Sequence, residues 1–360
     1  MRACVMRDHK LFVDTLPDPE PQDGQVLVKT LACGICGSDL HMLKHADRMI
    51  EVGRRSGQGE GMDLTHDVVM GHEFCAEIVE FGPNTSQTLK PGTRVCSMPI
   101  AIGPQAAGPV GYSNDYPGGY GELMVLSEMM LLEVPNGLST DRAALTEPMA
   151  VGYHAVEKGQ LTGGEIPIVI GCGPVGLAVI AALKLKGIGP IIASDFSPMR
   201  RAMAEQMGAD VILNPADHSP YEKWEEIAVP TDIDLGNPIS AMLGQEQIKP
   251  CVVFECVGVP GLLQPVFEGT PRNGRVVVVG VCMEADRIEP LFAINKELNV
   301  QFVLAYAAEE FATTLRNIAE GRLDVDPLIT GKIGVEGVPE AFEELASPDR
   351  HAKILVEPWR

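Results

Sequence analysis

The chain has 360 residues, of which 45% are hydrophobic, and a formal net charge of −21 at pH 7. The hydrophobic share excludes a disordered chain, and the length suggests two domains, each with its own core. An acidic chain without a Lys/Arg cluster argues against binding to nucleic acid or to an anionic membrane, because phosphates are held by clustered positive charge.

Membrane insertion and secretion are also disfavoured. Residues 166–183 form an uncharged, mostly apolar run at the lower length limit of a membrane span, but Pro and Gly residues interrupt it. The first residues lack the apolar stretch of a secretory signal. The nine cysteines are odd in number and scattered, which favours reduced thiols and a cytoplasmic protein.

The first 145 residues or so predict a β-rich unit with long loops. Short β-like runs at 26–30 and 74–80 end at turns rich in Gly, Pro and Asn. Residues 139–141, Ser-Thr-Asp, then offer N-caps for a helix that reaches about Lys158.

From Ile166 the pattern changes to alternating strands and helices. Strands that are apolar at nearly every position indicate a parallel sheet covered by helices on both faces. The expected strands are 166–170, 191–194, 251–256 and 275–281, with helices at 174–186 and 198–207. The polar segment 214–250 can be placed only as an insertion in the middle of this sheet.

The chain after Tyr306 is too short to fold alone. It predicts helices at 309–320 and 338–346 and a strand at 353–357, and we expect it to rejoin the first domain.

A Gly-x-Gly-x-x-Gly run marks a candidate dinucleotide site. It follows a predicted strand and opens a predicted helix, as the phosphate-binding turn of a doubly wound (Rossmann) sheet requires. Its residues are Gly171, Gly173, Pro174, Val175 and Gly176. The helix N-terminus would hold the pyrophosphate with backbone N–H groups.

Asp195 ends the next predicted strand, near the offset expected for a ribose-binding carboxylate. Such a carboxylate repels a 2′-phosphate and therefore favours NAD over NADP. Arg200 and Arg201 qualify that preference, because a nearby Arg accommodates the phosphate. The alternative role of Asp195 is to cap the following helix.

A second group of signals has the residue types of a zinc site. In one interpretation, Cys33, Cys36, His72 and Cys75 form a closed Cys₃His structural site. In another, only Cys36 and His72 bind from these segments, and a distant carboxylate completes an open site. Buried thiols without metal are the third possibility.

Several motifs together resemble the zinc-dependent medium-chain dehydrogenase family. They occur in matching order over nearly the whole chain, at residues 34–41, 71–73, 118–122, 147–152, 171–176, 326–330 and 353–356. Glu147, where many members have Cys, resembles the polyol and threonine dehydrogenase branch. The resemblance implies a GroES-like catalytic domain at 1–147 and 306–360 and a Rossmann NAD-binding domain at 148–305.

The same resemblance implies the residues of the active site. Cys36, His72 and Glu147 would hold one catalytic zinc ion per chain, with Glu73 as an adjacent or exchangeable ligand. Asp39 matches the acid that orients the zinc-bound His. Cys33 and Cys75 would then be ordinary core residues.

Ser38 and His41 match the relay that carries the alcohol proton to solvent. The implied activity is NAD-dependent oxidation of a secondary alcohol or polyol by a homo-oligomer that acts on a small molecule. An NADPH-dependent aldehyde or ketone reductase and a non-catalytic NAD-binding protein with a structural zinc are the alternatives.

Two features depart from the family pattern. Cys96 is the only Cys between Cys75 and Cys172, so the four-Cys structural zinc site of many members is absent. Residues 44–67 are a Gly-containing, charged insertion next to the candidate ligands, and either an active-site lid or a solvated loop would fit it.

Overall fold

The chain folds into two compact units. The computed structural model describes residues 1–57, 61–104, 107–135 and 137–360, with the backbone alone at position 238. One unit comprises residues 1–148 and 308–360, and the other comprises residues 149–307.

The elements are numbered in chain order. The strands are β1 (Arg2–Arg7), β2 (Lys10–Thr15), β3 (Gln25–Gly34), β4 (Glu73–Phe81), β5 (Arg94–Ser97), β6 (Ile100–Ile102), β7 (Ala107–Pro109), β8 (Leu123–Ser127), β9 (Leu131–Glu133), β10 (Ile166–Ile170), β11 (Ile192–Ser194), β12 (Val211–Leu213), β13 (Cys251–Glu255), β14 (Arg275–Val278), β15 (Asn299–Phe302), β16 (Ile329–Ile333) and β17 (Lys353–Val356). The α-helices are α1 (Gly37–Arg55), α2 (Thr140–Ala144), α3 (Thr146–Lys158), α4 (Pro174–Leu185), α5 (Pro198–Gln206), α6 (Pro220–Ala228), α7 (Pro238–Gly244), α8 (Leu263–Gly269), α9 (Pro290–Lys296), α10 (Ala308–Ala319) and α11 (Val338–Leu345).

The first unit is built on a mostly antiparallel sheet. Its strand order is β16-β17-β3-β4-β5-β9, and β8 pairs with the first half of β3. The C-terminal strand β17 runs antiparallel to β3, so the end of the chain joins the sheet that its beginning forms. The strands bury alternate or successive apolar side chains in one core, which also includes Met42 of α1 and Phe342 of α11.

The second unit is a doubly wound parallel sheet, as predicted. Its order is β12-β11-β10-β13-β14-β15, and every neighbouring pair is parallel. The order reverses direction between β10 and β13, which is where such sheets bind dinucleotides. The continuous apolar runs of β10 and β13 are buried because helices cover both faces of the sheet.

Both unusual segments contain helices. Residues 44–55 continue α1, with non-helical backbone angles only at His45, so this half of the predicted loop is helical instead. Residues 58–60 of the same segment lie outside the described residues. Segment 214–250 carries α6 and α7 and connects the edge strand β12 to β13 in the middle of the sheet. Over the residues described, no helix has the length and apolar character needed to cross a membrane.

Candidate metal centre and dinucleotide turn

The antiparallel pairing of β3 and β4 brings two distant sequence motifs together. Gly34 at the end of β3 pairs with Glu73 at the start of β4. Cys36 follows β3 by two residues and His72 immediately precedes β4, so the strand register places both at the same end of the ladder. The motif spacing in the sequence does not show this convergence, but the hydrogen-bonded register does.

The ligand atoms of Cys36, His72 and Glu73 lie within 4.8 Å of one another. Among the described residues, neither Cys33 nor Cys75 belongs to such a group of ligands. Burial raises the pKa of Cys33 well above its usual value. The geometry therefore favours the open site over the closed Cys₃His site.

Glu147 lies at the start of α3 and is nearly buried, but it is not part of that ligand group in the described part of the chain. Its charge, together with the charges of Glu73 and Cys36, raises the pKa of Lys353. In the described part of the chain, the carboxylate grouped with the thiol and the imidazole is that of Glu73, and the ligand role expected of Glu147 stays a prediction.

A buried ion pair holds Glu73. Lys353 Nζ donates hydrogen bonds to Glu73 Oε1 at 2.6 Å and to the Ile35 carbonyl at 3.0 Å. Burial would lower the pKa of Lys353, but Glu73 and the other nearby anions outweigh it and raise the pKa. Glu73 Oε2 is buried and has no hydrogen-bond partner among the residues that the structure describes, so one carboxylate oxygen remains available to a cation.

Asp39 organises the side of His72 that faces away from the thiol. Its Oδ1 lies 3.4 Å from His72 Nδ1, and its Oδ2 accepts hydrogen bonds from Tyr120 Oη at 2.6 Å and from the Cys36 N–H at 2.9 Å. Burial would raise the pKa of Asp39, but His72 and these donors hold it below its usual value. Burial likewise opposes the charged form of His72, and the neighbouring Asp39 and Cys36 hold its pKa well above the usual range.

Ser38 and His41 both lie in the first turns of α1. They are three residues apart, so they share one helix face. Ser38 Oγ lies 2.9 Å from Tyr112 Oη, and the His41 ring lies near that of His45, with centroids 6.4 Å apart.

The residues present fit a zinc ion. A thiol, an imidazole and a carboxylate form a common zinc donor set, and three protein ligands leave one coordination position open. His72 Nδ1 lies 3.4 Å from Asp39 Oδ1, so His72 would hold a zinc ion through Nε2, with the Asp39 carboxylate orienting the ring. The unpartnered Glu73 Oε2 would gain a counter-charge from the same ion.

Gly34 leaves room for Glu73. A Cβ at this position would overlap Glu73 Oε2 and press on the Lys353 side chain. We expect Gly34→Ala to displace the carboxylate, to lower the zinc content per chain and to cost about 1–3 kcal/mol of unfolding free energy. Gly37→Ala is the matched control, because a Cβ there has open space. Equal zinc content in both variants would contradict this role of Gly34.

In the second unit, the Gly-rich turn joins β10 to α4. Gly171 has φ +87°, and Gly173 is the N-cap of α4, which starts with Pro174. A Cβ on Gly176 would overlap the Gly171 carbonyl, whereas a Cβ on Gly173 would meet only Arg200. The turn therefore packs tightly on one side and leaves its backbone accessible at Gly173, as a pyrophosphate requires.

Asp195 follows β11 and is close to this turn. Its Oδ2 accepts the Cys172 N–H at 2.7 Å, and its Oδ1 accepts the Ser197 N–H at 2.8 Å just before α5. Asp195 thus stabilises the turn and the start of α5, the alternative role considered above. Arg201 Nη1 donates to the Asp195 and Phe196 carbonyls, while Arg200 Nε is buried without a partner.

A cavity of about 220 Å³ lies at the C-terminal edge of the same sheet. It is lined by residues that follow β13, β14 and β15, among them Gly258, Gly280 and Leu304. Glu255 shapes its wall, because its Oε1 accepts the N–H groups of Val257 and Gly258.

Sequence reasoning missed three residues of the metal centre. Lys353 and Tyr120 lie in motifs that carry the family resemblance, but their contacts with Glu73 and Asp39 join segments far apart in the chain. Tyr112 lies in a segment without a recognisable motif, and no sequence signal connects it to Ser38.

Comparison with known proteins identifies the family. Residues 22–136 match the family model of the alcohol dehydrogenase GroES-like domain, and residues 174–320 match that of zinc-binding dehydrogenases. The chain is 32% identical to (R,R)-butanediol dehydrogenase of Bacillus subtilis, covering 99% of this chain and 100% of that protein. It is 28% identical to sorbitol dehydrogenase of the same species, covering 100% and 98%.

Solved structures point to the same family as the sequence matches. The crystal structure of 2R,3R-butanediol dehydrogenase from Bacillus subtilis superimposes with a TM-score of 0.80 at 30% identity, covering 99% of each chain. A zinc-binding dehydrogenase from Sinorhizobium meliloti, solved with NADP, gives 0.77 at 25% identity and covers 99% of each chain. This chain therefore belongs to the zinc-dependent medium-chain alcohol dehydrogenase family, as an alcohol or polyol dehydrogenase with zinc and a nicotinamide cofactor.

Proposed function

We propose that this enzyme oxidises a secondary alcohol or polyol to the carbonyl compound with NAD, at one zinc ion held by Cys36, His72 and Glu73. The observation that carries the proposal is the convergence of these three ligand atoms within 4.8 Å. Glu147 would act on the same ion through water rather than as a direct ligand, since it lies outside that group of described ligands.

The chain's own residues then have distinct tasks. When bound, zinc supplies Lewis-acid polarisation of the alcohol oxygen, and the nicotinamide supplies the hydride acceptor. Asp39 holds the His72 ring in the orientation that presents Nε2. Ser38 Oγ accepts a hydrogen bond from the alcohol O–H, and His41, further along the same helix face, would take up the proton that the alcohol releases and exchange it with solvent.

The choice of NAD rests on Asp195, supported by Gly171, Gly173, Pro174, Val175 and Gly176 as the pyrophosphate turn. Each Asp195 oxygen accepts one backbone N–H and retains a lone pair for a ribose hydroxyl. The second candidate is an NADPH-dependent aldehyde or ketone reductase. It is favoured by one observation, the buried and unpartnered Nε of Arg200 beside the turn, which would suit a 2′-phosphate.

Replacing Asp195 by Asn tests the cofactor preference. We expect the ratio of kcat/KM with NAD to kcat/KM with NADP to fall by roughly tenfold, because the charge that repels a 2′-phosphate is lost. Asp210→Asn is the matched control, since Asp210 also accepts a backbone N–H, from Ile191, away from the turn. A strong NADP preference in the unmodified enzyme would overturn the assignment of NAD.

The proposed reaction is tested with a panel of alcohols and both cofactors, followed at 340 nm and combined with metal analysis. The panel contains (R,R)-2,3-butanediol, sorbitol, 2-propanol and ethanol. We expect about one zinc per chain, with the highest turnover for a secondary alcohol or polyol. Full turnover by metal-free protein would contradict the proposal.

We also propose a cytoplasmic homo-oligomer. All nine cysteines are free thiols, which suits a reducing compartment. The edge strand β15 of the second unit exposes Phe302, and Leu291, Ile294 and Leu304 of the same unit are also exposed. An apolar sheet edge of this kind is usually covered by another chain. Light scattering of the purified enzyme would give the mass of the assembly.

A further inference from the structure

Tyr112 connects the two halves of the metal centre in the first unit. It lies between β7 and β8, is partly buried, and stacks near His72 with ring centroids 5.1 Å apart. Its Oη lies 2.8 Å from Asp39 Oδ1 and 2.9 Å from Ser38 Oγ. One phenol therefore contacts both the carboxylate behind the candidate ligand His72 and the hydroxyl that faces the substrate in the proposed function.

The direction of these hydrogen bonds follows from counting hydrogens. A phenol carries a single hydrogen, so Tyr112 can donate to only one of these two neighbours. An ionised carboxylate only accepts hydrogen bonds, so Tyr112 donates this hydrogen to Asp39 Oδ1. Towards Ser38, Tyr112 Oη can then only accept, and the Ser38 hydroxyl must donate.

We propose that Tyr112 is a positioning residue that fixes the direction of the Ser38 hydroxyl. With its hydrogen directed to Tyr112, Ser38 presents its oxygen lone pairs to the substrate and meets the alcohol O–H as an acceptor. The inference rests on the proposed function, because it assigns Tyr112 a role through Ser38 in that reaction.

Tyr120 provides the natural comparison. Its Oη donates to the other oxygen of Asp39 at 2.6 Å. Among the described residues, the Ser38 side chain has a hydrogen bond with Tyr112 and none with Tyr120. Tyr120 therefore shares the bond to Asp39 but not the bond to Ser38. Removing either phenol disturbs Asp39, but only removal of the Tyr112 phenol releases the Ser38 hydroxyl.

The experiment compares Tyr112→Phe, Tyr120→Phe and Tyr116→Phe in the zinc-loaded full chain, each with Ser38 present and with Ser38→Ala. Tyr116 is the control, because it is a tyrosine of the same segment and packs at Gly108. Activity is measured with NAD and the panel alcohol that the unmodified enzyme turns over fastest. The rate of zinc release to a chelator is the second readout, and it does not depend on activity.

We expect Tyr112→Phe to lower kcat/KM by about 10-fold or more, with most of the loss in kcat. In the Ser38→Ala background the same change should cost less than about twofold, since residues that act through one another are not additive. Tyr120→Phe should give the same fold-change in both backgrounds. Both variants should release zinc faster than Tyr116→Phe, because each removes a donor to Asp39.

Several results would overturn the inference. One is a Tyr112→Phe enzyme that matches Tyr116→Phe in kcat/KM and in zinc release. Another is an equal fold-loss from Tyr112→Phe with and without Ser38, which would leave Tyr112 a purely structural role while the proposed function stands. An unmodified chain without zinc and without alcohol turnover would contradict the proposed function and the positioning role together.

Discussion

Cys36→Ala is expected to lower alcohol turnover by at least about 10³-fold while the chain stays folded. The loss of one ligand from a three-ligand site removes several kcal/mol of charge stabilisation, and each 1.36 kcal/mol corresponds to tenfold in rate. Cys36 is only partly buried and starts α1, so its side chain is not needed to fill the core. Steady-state kinetics measures the turnover of the variant, zinc analysis measures its metal content, and circular dichroism shows whether it is folded.

The matched controls are the two neighbouring thiols of the alternative closed site. Cys33 and Cys75 are fully buried in β3 and β4 and are not among the ligand atoms that converge. Cys33→Ala and Cys75→Ala should therefore keep about one zinc per chain and most of the activity, at a modest cost in stability. Zinc lost from these variants, and retained in Cys36→Ala, would favour the closed Cys₃His site instead.

Lys353→Met is expected to destabilise the zinc-free chain by about 3–5 kcal/mol. The substitution keeps the length of the side chain but leaves the Glu73 carboxylate buried without a counter-charge, and breaking a buried pair on one side is the costly case. Lys353 and Glu73 are almost completely shielded from solvent, so water cannot take over the role of the ammonium group. Urea unfolding after chelation of zinc measures the change without the contribution of metal binding.

Two further variants distinguish the loss of the buried ion pair from the loss of a lysine side chain in general. Lys223→Met removes an exposed pair with Glu226 on α6 and should cost less than about 1 kcal/mol. The double variant Lys353→Met/Glu73→Leu replaces both charges with apolar groups and should recover much of the lost stability. If Lys353→Met costs no more than Lys223→Met, the buried pair does not stabilise this unit.

The sequence predicts those features in which a local pattern has a single structural meaning. The Gly-x-Gly-x-x-Gly run follows an apolar strand, and only such a turn satisfies both the positive φ of Gly171 and the close packing at Gly176. The parallel sheet follows from apolar strands that alternate with helices, because such strands must be covered on both faces. Cys36 and His72 are predicted as ligands because the family resemblance implies a ligand at each of their positions.

The remaining features depend on long-range pairing that residue types do not encode locally. Glu73 and Lys353 meet because β17 and β4 both neighbour β3, across most of the length of the chain. The separation of Glu147 from the ligand group likewise depends on where α3 begins. The charge of residues 44–55 and the glycines that follow favour a loop, but α1 continues through this segment to Arg55.

The central claim is that Cys36, His72 and Glu73 share one zinc ion. X-ray diffraction from crystals of the zinc-loaded enzyme, recorded on both sides of the zinc absorption edge, locates that ion directly. We expect one anomalous difference peak per chain, in contact with Cys36 Sγ, His72 Nε2 and Glu73 Oε2. A peak bounded by Cys33 and Cys75, or one that Glu147 coordinates while Glu73 stays bound only to Lys353, would contradict it.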